Sequence, residues 1–184
     1  MNDKRVLSGA IELRGASDAP TLCGRCVQYS AWSEVLYGSF RERILPGAFD
    51  ECLAESPDII ATINHDPAQL LGRTSAKTLR LLPDDDGIAV ECPAPNTSYS
   101  RDLQESVRRG DMRGMSFIFE VVSDRWYKED GLHCRDVSKA KIFEVSFVTF
   151  PAYPSTEAAL RSLQSWQNSQ LNSHQKYLRL LSAE

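Results

Sequence analysis

The sequence predicts a mainly β, α+β fold: a mostly antiparallel sheet or barrel that carries a few helices. About ten short stretches rich in β-branched and aromatic residues follow one another along the chain, separated by turn-forming residues. Segments with helical periodicity are few, and they do not alternate regularly with the strands. This pattern argues against a doubly wound fold, and the missing G-x-S-x-G motif argues against an α/β-hydrolase.

The first third of the chain predicts two strands, a helix and a third strand. Residues 4–14 and 22–32 have the composition and partial alternation of strands, and the turn-rich SDAP separates them. A helix is expected after Pro46 and must end before Pro57, since proline cannot continue a helix. Residues 58–67 then form a short apolar strand that stops at a proline.

Short strands, a second helix and a strongly apolar strand follow. LLGRT, KTLRLL and GIAVEC have strand composition, and the Asp-Gly step at residues 86–87 is typical of a hairpin turn. Residues 98–109 have the apolar stripe of a helix. The strands MSFIFEVV, RWYKE and LHCRDV, with a turn at residues 130–131, lead to residues 141–154, the most strand-like segment. We expect residues 1–154 to form one domain and residues 155–184, which are rich in Ser, Gln and Asn, to form a helical or loosely ordered tail.

Composition and charge exclude several classes of protein. Apolar residues make up 42% of the chain and the net charge is −4, so no global feature suggests binding to nucleic acid or to an anionic membrane. No apolar run approaches the roughly 20 residues that cross a bilayer. The N-terminus lacks the apolar core of a signal peptide, so a cytoplasmic location is expected.

The five cysteines predict reduced thiols rather than a disulfide scaffold. Cys23 and Cys26 form a C-x-x-C, but a second such pair or a histidine pair at ligand spacing is missing. We therefore interpret both as strand residues. The sequence also lacks a Gly-rich phosphate loop, and we expect no metal or nucleotide cofactor.

Three polar residues stand where the strand pattern calls for apolar ones: His65, Ser116 and Glu144. Alternation along an extended chain would place His65 on the face of Ile63 and away from its neighbour Asp66. Ser116 begins an apolar strand, and Glu144 lies in the middle of the most hydrophobic one. A buried ionised carboxylate costs several kcal/mol unless it is paired. The candidates for a purely structural partner of Glu144 are Lys139, Lys141 and Arg135.

The functional interpretation is that the three residues converge. A serine becomes a strong nucleophile only when an imidazole takes its proton, and the imidazole works best when a third group orients it. Ser116 would be the nucleophile and His65 the base, with Gly114 leaving room for a close-approaching substrate. Backbone N–H groups near Ser116 are candidates for the oxyanion hole, but spacing does not tell which ones.

Four segments, in order and with matching spacing, resemble the prohead maturation proteases of HK97-type tailed bacteriophages: GSFRERILPGAFDECL (38–53), INHDPAQLLGRT (63–74), RRGDMRGMSFIFEV (108–121) and KIFEVSFVTFPAYP (141–154). The family's histidine stands before Asp-Pro, as His65 does, and its serine follows a Gly-Met or Gly-Leu step, as Ser116 does. Its acidic residue lies in a strand ending in Pro-Ala, which matches Glu144.

The resemblance implies a fold similar to that of the herpesvirus maturation proteases, a β-barrel ringed by helices. Those enzymes use histidine, serine and a second histidine in the same chain order. Glu144 would take the place of the second histidine. His133, on an earlier and more polar strand, competes for that role, although a surface or structural position fits it better.

The resemblance also implies the activity: a serine endopeptidase that removes the scaffolding segment of the major capsid protein and cuts itself. It would act without a cofactor inside the assembling procapsid, in the cytoplasm of a bacterial host. Cleavage-site preference and oligomeric state, a homodimer included, stay open. The alternative is a non-catalytic barrel that serves as a scaffold or capsid assembly factor, with His65 and Glu144 as structural polar groups.

Overall fold

The computed structural model describes residues 3–7, 11–15, 20–149 and 160–170. This part of the chain consists mainly of strands with a few helices, which confirms the mainly β, α+β prediction. The strands are β1 Asp3–Leu7, β2 Glu12–Arg14, β3 Thr21–Gln28, β4 Phe40–Ile44, β5 Ile60–Ile63, β6 Gly72–Arg73, β7 Arg80–Asp84, β8 Gly87–Pro93, β9 Gly114–Glu129 and β10 Leu132–Val148. The helices are α1 Asp50–Ala54 and α2 Ser98–Arg109, with a 3-10 turn at Pro67–Gln69 and a helical segment at residues 160–170.

The described strands form two sheets. One has six strands in the order β1-β9-β10-β5-β6, with β4 also paired to β10, and the other has the order β2-β3-β8-β7. Most pairs are antiparallel, but β4 and β5 both run parallel to β10. The length of β10 allows this, because β4 pairs with its first half and β5 with its second half.

A closed barrel is not found among the described residues, where each strand belongs to one of two separate sheets. The two sheets share a single core, to which β3 contributes Leu22, β8 contributes Ile88 and β9 contributes Phe117. Alternation of apolar and polar residues could not predict closure, because the same alternation fits a sandwich and a barrel.

The strands β9 and β10 form one long hairpin, where the sequence predicted shorter pieces. MSFIFEVV and RWYKE belong to β9, while LHCRDV and most of the segment 141–154 belong to β10. Their turn at Asp130 and Gly131 has positive φ at both residues (50° and 83°), as a two-residue hairpin with matched twist requires. Register shifts near Lys139 and Phe143 mark bulges, and Phe143 is 39% exposed.

The helices follow the predicted signals. Helix α2 spans the expected residues, with the Thr97 side chain accepting from the Ser100 N–H at its start and Gly110 in the left-handed region at its end (φ 77°). Helix α1 is shorter than the sequence suggested. Pro46 and Gly47 lie in a chain turn before the helix and are not part of the helix itself.

The helical segment at residues 160–170 packs on the outside of the long hairpin. Leu163 is buried in a small cluster with Leu36, Phe40 and Trp126, and Trp126 Nε1 donates to Ser162 Oγ at 2.9 Å. The predicted domain boundary at residues 154–155 lies outside the described residues, as does most of the predicted tail. No helix in the described ranges is long and apolar enough to cross a membrane.

Candidate active site

The side chains of His65, Ser116 and Glu144 meet on one face of the six-stranded sheet. His65 Nε2 lies 2.8 Å from Ser116 Oγ, and His65 Nδ1 lies 2.7 Å from Glu144 Oε1. Ser116 lies on β9, Glu144 on β10 and His65 in the turn after β5. Because these three strands are neighbours, residues that are far apart in sequence form one hydrogen-bonded series.

The register of the sheet explains the common face. Ser116 on β9 lies opposite Ser146 on β10, and Ser146 lies opposite Thr62 on β5. Residues directly opposite each other on paired strands share a face, so these three form a row across the sheet. Glu144 precedes Ser146 by two residues, and the period of two in a strand places it on that same face.

The imidazole of His65 reaches this face through a turn. The prediction that His65 continues the strand and shares the face of Ile63 is wrong, because β5 ends at Ile63. Asn64 and His65 both have positive φ (51° and 59°), and the Asp66 N–H donates to the Ile63 carbonyl at 2.9 Å. This is the geometry of a tight turn with two left-handed residues. It turns His65 onto the face of Thr62.

Hydrogen bonds to β10 and the bend after it hold this turn in place. The Asn64 N–H donates to the Phe147 carbonyl at 2.9 Å, and the Asn64 Oδ1 accepts from the Thr149 N–H at 2.9 Å. The His65 N–H donates to Ser146 Oγ at 2.9 Å. A non-glycine residue in the left-handed region costs about 1–3 kcal/mol, so two in succession need such support.

Glu144 is buried at 9% exposure and has two hydrogen-bond donors on the same carboxylate oxygen. His65 Nδ1 lies 2.7 Å from Oε1, and the Thr62 hydroxyl donates to Oε1 at 2.9 Å. An ionised carboxylate can only accept hydrogen bonds, so Nδ1 of His65 carries the proton. In that tautomer the lone pair of the imidazole is on Nε2, where it can accept a hydrogen bond from the hydroxyl of Ser116.

The cations considered as structural partners of Glu144 include two that pair elsewhere. Lys139 forms an ion pair with Glu51 at 2.5 Å. Arg135 is buried and pairs with Glu42 at 3.2 Å and with a second carboxylate, Asp124, at 2.6 Å. Neither of these cations supplies the contacts to Glu144 described above.

His133 lies far from the three converging residues. It is the second residue of β10, roughly 35 Å of extended strand away from Glu144 at about 3.3 Å per residue. Its ring packs edge-on against Trp166, with 5.6 Å between ring centroids, and its Nε2 lies 3.5 Å from Gln167 Nε2. His133 thus contacts the helical segment at residues 160–170.

The C-x-x-C cysteines both lie in β3 and are buried. Burial raises the pKa of the Cys26 thiol to about 12 and also raises the pKa of Cys23. A thiol becomes a good nucleophile or metal ligand by losing its proton, which this environment disfavours. Their position in a strand agrees with the sequence interpretation.

The family model described as caudovirus prohead serine protease matches residues 10–170. The chain belongs to this family. The resemblance found in the sequence is therefore confirmed. A solved structure of the capsid assembly protease gp21 of bacteriophage T4 is similar at 9% identity and a TM-score of 0.47, covering 80% of this chain and 99% of that one. No curated protein matches the chain.

In this prohead protease family member, sequence reasoning missed three residues around the site: Asn64, Thr62 and Ser146. Asn64 could have been found, because asparagine is favoured where φ is positive and it immediately precedes the histidine. Thr62 and Ser146 gave a weaker signal. Both are hydroxyl residues on otherwise apolar strands, and threonine is common in ordinary strands.

Proposed function

We propose that this prohead protease family member is a serine endopeptidase in which Ser116 is the nucleophile, His65 the general base and Glu144 the group that orients His65. The observation that carries the proposal is the unbroken series of hydrogen bonds, 2.8 Å from Ser116 Oγ to His65 Nε2 and 2.7 Å from His65 Nδ1 to Glu144 Oε1. Serine, imidazole and carboxylate in this order are the parts of a catalytic triad.

The proposed reaction has two stages. Ser116 Oγ attacks the peptide carbonyl carbon while His65 Nε2 takes the hydroxyl proton, and the tetrahedral intermediate collapses as His65 gives that proton to the leaving amine. Water then hydrolyses the acyl-enzyme by the same proton transfers. Glu144 stays ionised throughout and stabilises the imidazolium form of His65. None of these steps requires a metal or a nucleotide.

The proposed substrates are the scaffolding segment of the major capsid protein and the protease chain itself. The family description supports a role in the prohead, which would place the reaction inside the assembling procapsid in the bacterial cytoplasm. The segment after residue 154 is the proposed site of self-cleavage or encapsidation. Its composition is polar and distinct from that of the preceding strands.

We also propose that the two sheets correspond to the β-barrel of the herpesvirus maturation proteases. Support comes from the chain order, since His65 precedes Ser116 and the third member follows both. Glu144 would occupy the place of the second histidine in those enzymes. A crystal structure of this chain, superposed on such a protease, tests the correspondence, which requires the three side chains to coincide.

The complete burial of Ser116 (0% exposed) is the observation that favours the alternative of a non-catalytic assembly factor. A protein substrate needs access to the nucleophile, whereas a structural hydroxyl does not. The alternative predicts that removing this hydroxyl changes stability by about 1 kcal/mol and leaves capsid protein processing unaffected.

Co-expression with the cognate major capsid protein separates the two candidates. Ser116→Ala should abolish processing of the capsid protein, whereas Ser123→Ala should not, since Ser123 is an exposed serine on the same strand. Cleavage is measured as the loss of mass of the capsid protein. Continued processing by Ser116→Ala would refute the proposed function.

A further inference from the structure

Two fully buried hydroxyl residues, Thr62 and Ser146, lie beside the triad and have no part in the proton transfers described above. Burying a hydroxyl in an apolar strand is unfavourable unless it forms hydrogen bonds. Valine and alanine would fill the same positions without that requirement. The contacts of these hydroxyls therefore indicate what they do.

Thr62 acts on the carboxylate of Glu144. Its hydroxyl donates to Oε1 at 2.9 Å, which is the oxygen that also accepts from His65 Nδ1 at 2.7 Å. Two donors from different directions on one oxygen fix the rotation of the carboxylate. They keep the oxygen that binds the imidazole in one place and stabilise its negative charge.

Ser146 acts on the backbone of the turn that carries His65. Its Oγ accepts the His65 N–H at 2.9 Å and donates to the Thr62 carbonyl at 3.2 Å. Through these two hydrogen bonds, Ser146 connects the backbone of His65 to both β10 and β5. The two hydroxyl oxygens lie 3.1 Å apart, and this assignment gives each single hydroxyl proton one acceptor.

We propose that Thr62 and Ser146 are positioning residues, Thr62 for Glu144 and Ser146 for His65. The register of the sheet explains why both hydroxyls lie beside the triad, because Ser116, Ser146 and Thr62 form one row across β9, β10 and β5. The inference rests on the proposed function, since it assigns the two hydroxyls to the same catalytic site. Neither hydroxyl touches the substrate.

The test uses a matched pair at Thr62 in the full chain, co-expressed with the capsid protein. Thr62→Val keeps the shape of the side chain and removes the donor, and Thr62→Ser keeps the donor. Misplacement of a catalytic group by a fraction of an ångström to 1 Å lowers rates by up to about 100-fold. We therefore expect the Thr62→Val variant to process the capsid protein about 10-fold to 100-fold more slowly than wild type. Thr62→Ser should process at close to the wild-type rate.

A purely structural role would affect folding and leave the His65–Glu144 hydrogen bond intact. Two further measurements on the purified chain therefore accompany the rates: the thermal unfolding temperature, and the far-downfield proton resonance of a histidine N–H bonded to a carboxylate. We expect this resonance, absent in His65→Gln, to be present in wild type and Thr62→Ser. In Thr62→Val it should weaken or shift, while the unfolding temperature stays close to that of wild type.

The outcomes distinguish failure of this inference from failure of the proposed function. If Ser116→Ala abolishes processing but Thr62→Val processes at the wild-type rate with an unchanged resonance, the positioning role is wrong and the protease stands. If Ser116→Ala still processes, both are wrong. Should Thr62→Val fail to fold, Ser146→Ala decides in its place. It must then slow processing in the folded protein for the inference to hold.

Discussion

The Nδ1 atom of His65 and the Oε1 atom of Glu144 lie 2.7 Å apart although 79 residues separate them in sequence. The parallel pairing of β5 with β10 makes this contact possible, because the turn at the end of β5 projects over the face that carries Glu144. The carboxylate fixes which imidazole nitrogen bears the proton. Its removal should therefore impair the proposed base, His65, even when the imidazole remains.

Glu144→Gln is expected to lower the rate of capsid protein processing by about 100-fold to 10,000-fold, because an uncharged amide does not stabilise the imidazolium and can favour the wrong tautomer. Processing in co-expressing cells, measured over time, gives the rate. Glu51→Gln is the matched control, since Glu51 is exposed and pairs only with Lys139 among the contacts described. Equal rates for both variants would contradict the role of Glu144.

Substitutions at Asn64 should separate two contributions to the stability of its turn, the hydrogen bonds of the side-chain amide and the left-handed backbone conformation. Asn64→Ala loses the amide contacts to Thr149 and places alanine at φ 51°, so we expect the free energy of unfolding to fall by about 1–3 kcal/mol and processing to slow. Asn64→Gly loses the same contacts but tolerates the backbone conformation, and should be less destabilised than Asn64→Ala. Urea denaturation measures both. Identical losses would show that the backbone conformation carries no cost here.

Tyr29 offers a prediction away from the site. Its hydroxyl oxygen is buried without a hydrogen-bond partner in the described part of the chain, and burial raises the pKa of Tyr29 to about 12. Tyr29→Phe should leave the free energy of unfolding unchanged or raise it by about 1 kcal/mol, because it removes an unsatisfied polar group. A fall of more than about 1 kcal/mol in the free energy of unfolding would show that the hydroxyl has a hydrogen-bond partner.

The buried thiols predict weakening at alkaline pH. Burial raises the pKa of Cys26 and of Cys92 to about 12, above the usual value of a thiol in an unfolded chain. Their stabilising effect is therefore complete below pH about 8.5 and is lost as the pH rises toward 12. Each thiol that ionises only on unfolding contributes about 1.4 kcal/mol per pH unit to the slope.

Urea unfolding at a series of pH values from 8 to 11 measures this slope. Cys26→Ala should reduce it, whatever the change in absolute stability that the smaller side chain causes. An unchanged slope in Cys26→Ala would mean that this thiol already ionises in the folded protein.

Much of the site could be predicted because polar residues on apolar strands stand out. Glu144 in KIFEVSF and Ser116 in GMSFIF break a hydrophobic pattern that can be recognised without knowledge of the fold. Their catalytic roles stay predictions. The path of His65 was predicted wrongly from alternation, since two left-handed residues in succession replace the strand that alternation would continue.

The remaining differences have physical causes of the same kind. Thr62 and Ser146 escaped notice because a buried hydroxyl in a strand looks the same in sequence whether it bonds a buried carboxylate or only the backbone. The continuity of β9 and β10 escaped because their polar middles resemble loop sequence. Cross-strand pairing in the long hairpin satisfies the backbone there, irrespective of local propensity.

Covalent labelling of the nucleophile tests whether His65 activates Ser116. Cells that co-express the chain with its capsid protein are treated with a fluorophosphonate, and the modified residue is located by peptide mass spectrometry. We expect an adduct on Ser116 in the wild-type chain and none in His65→Gln. An adduct on Ser116 that forms equally well in His65→Gln, or no adduct on Ser116 while the capsid protein is being processed, would show that His65 does not activate Ser116 as proposed.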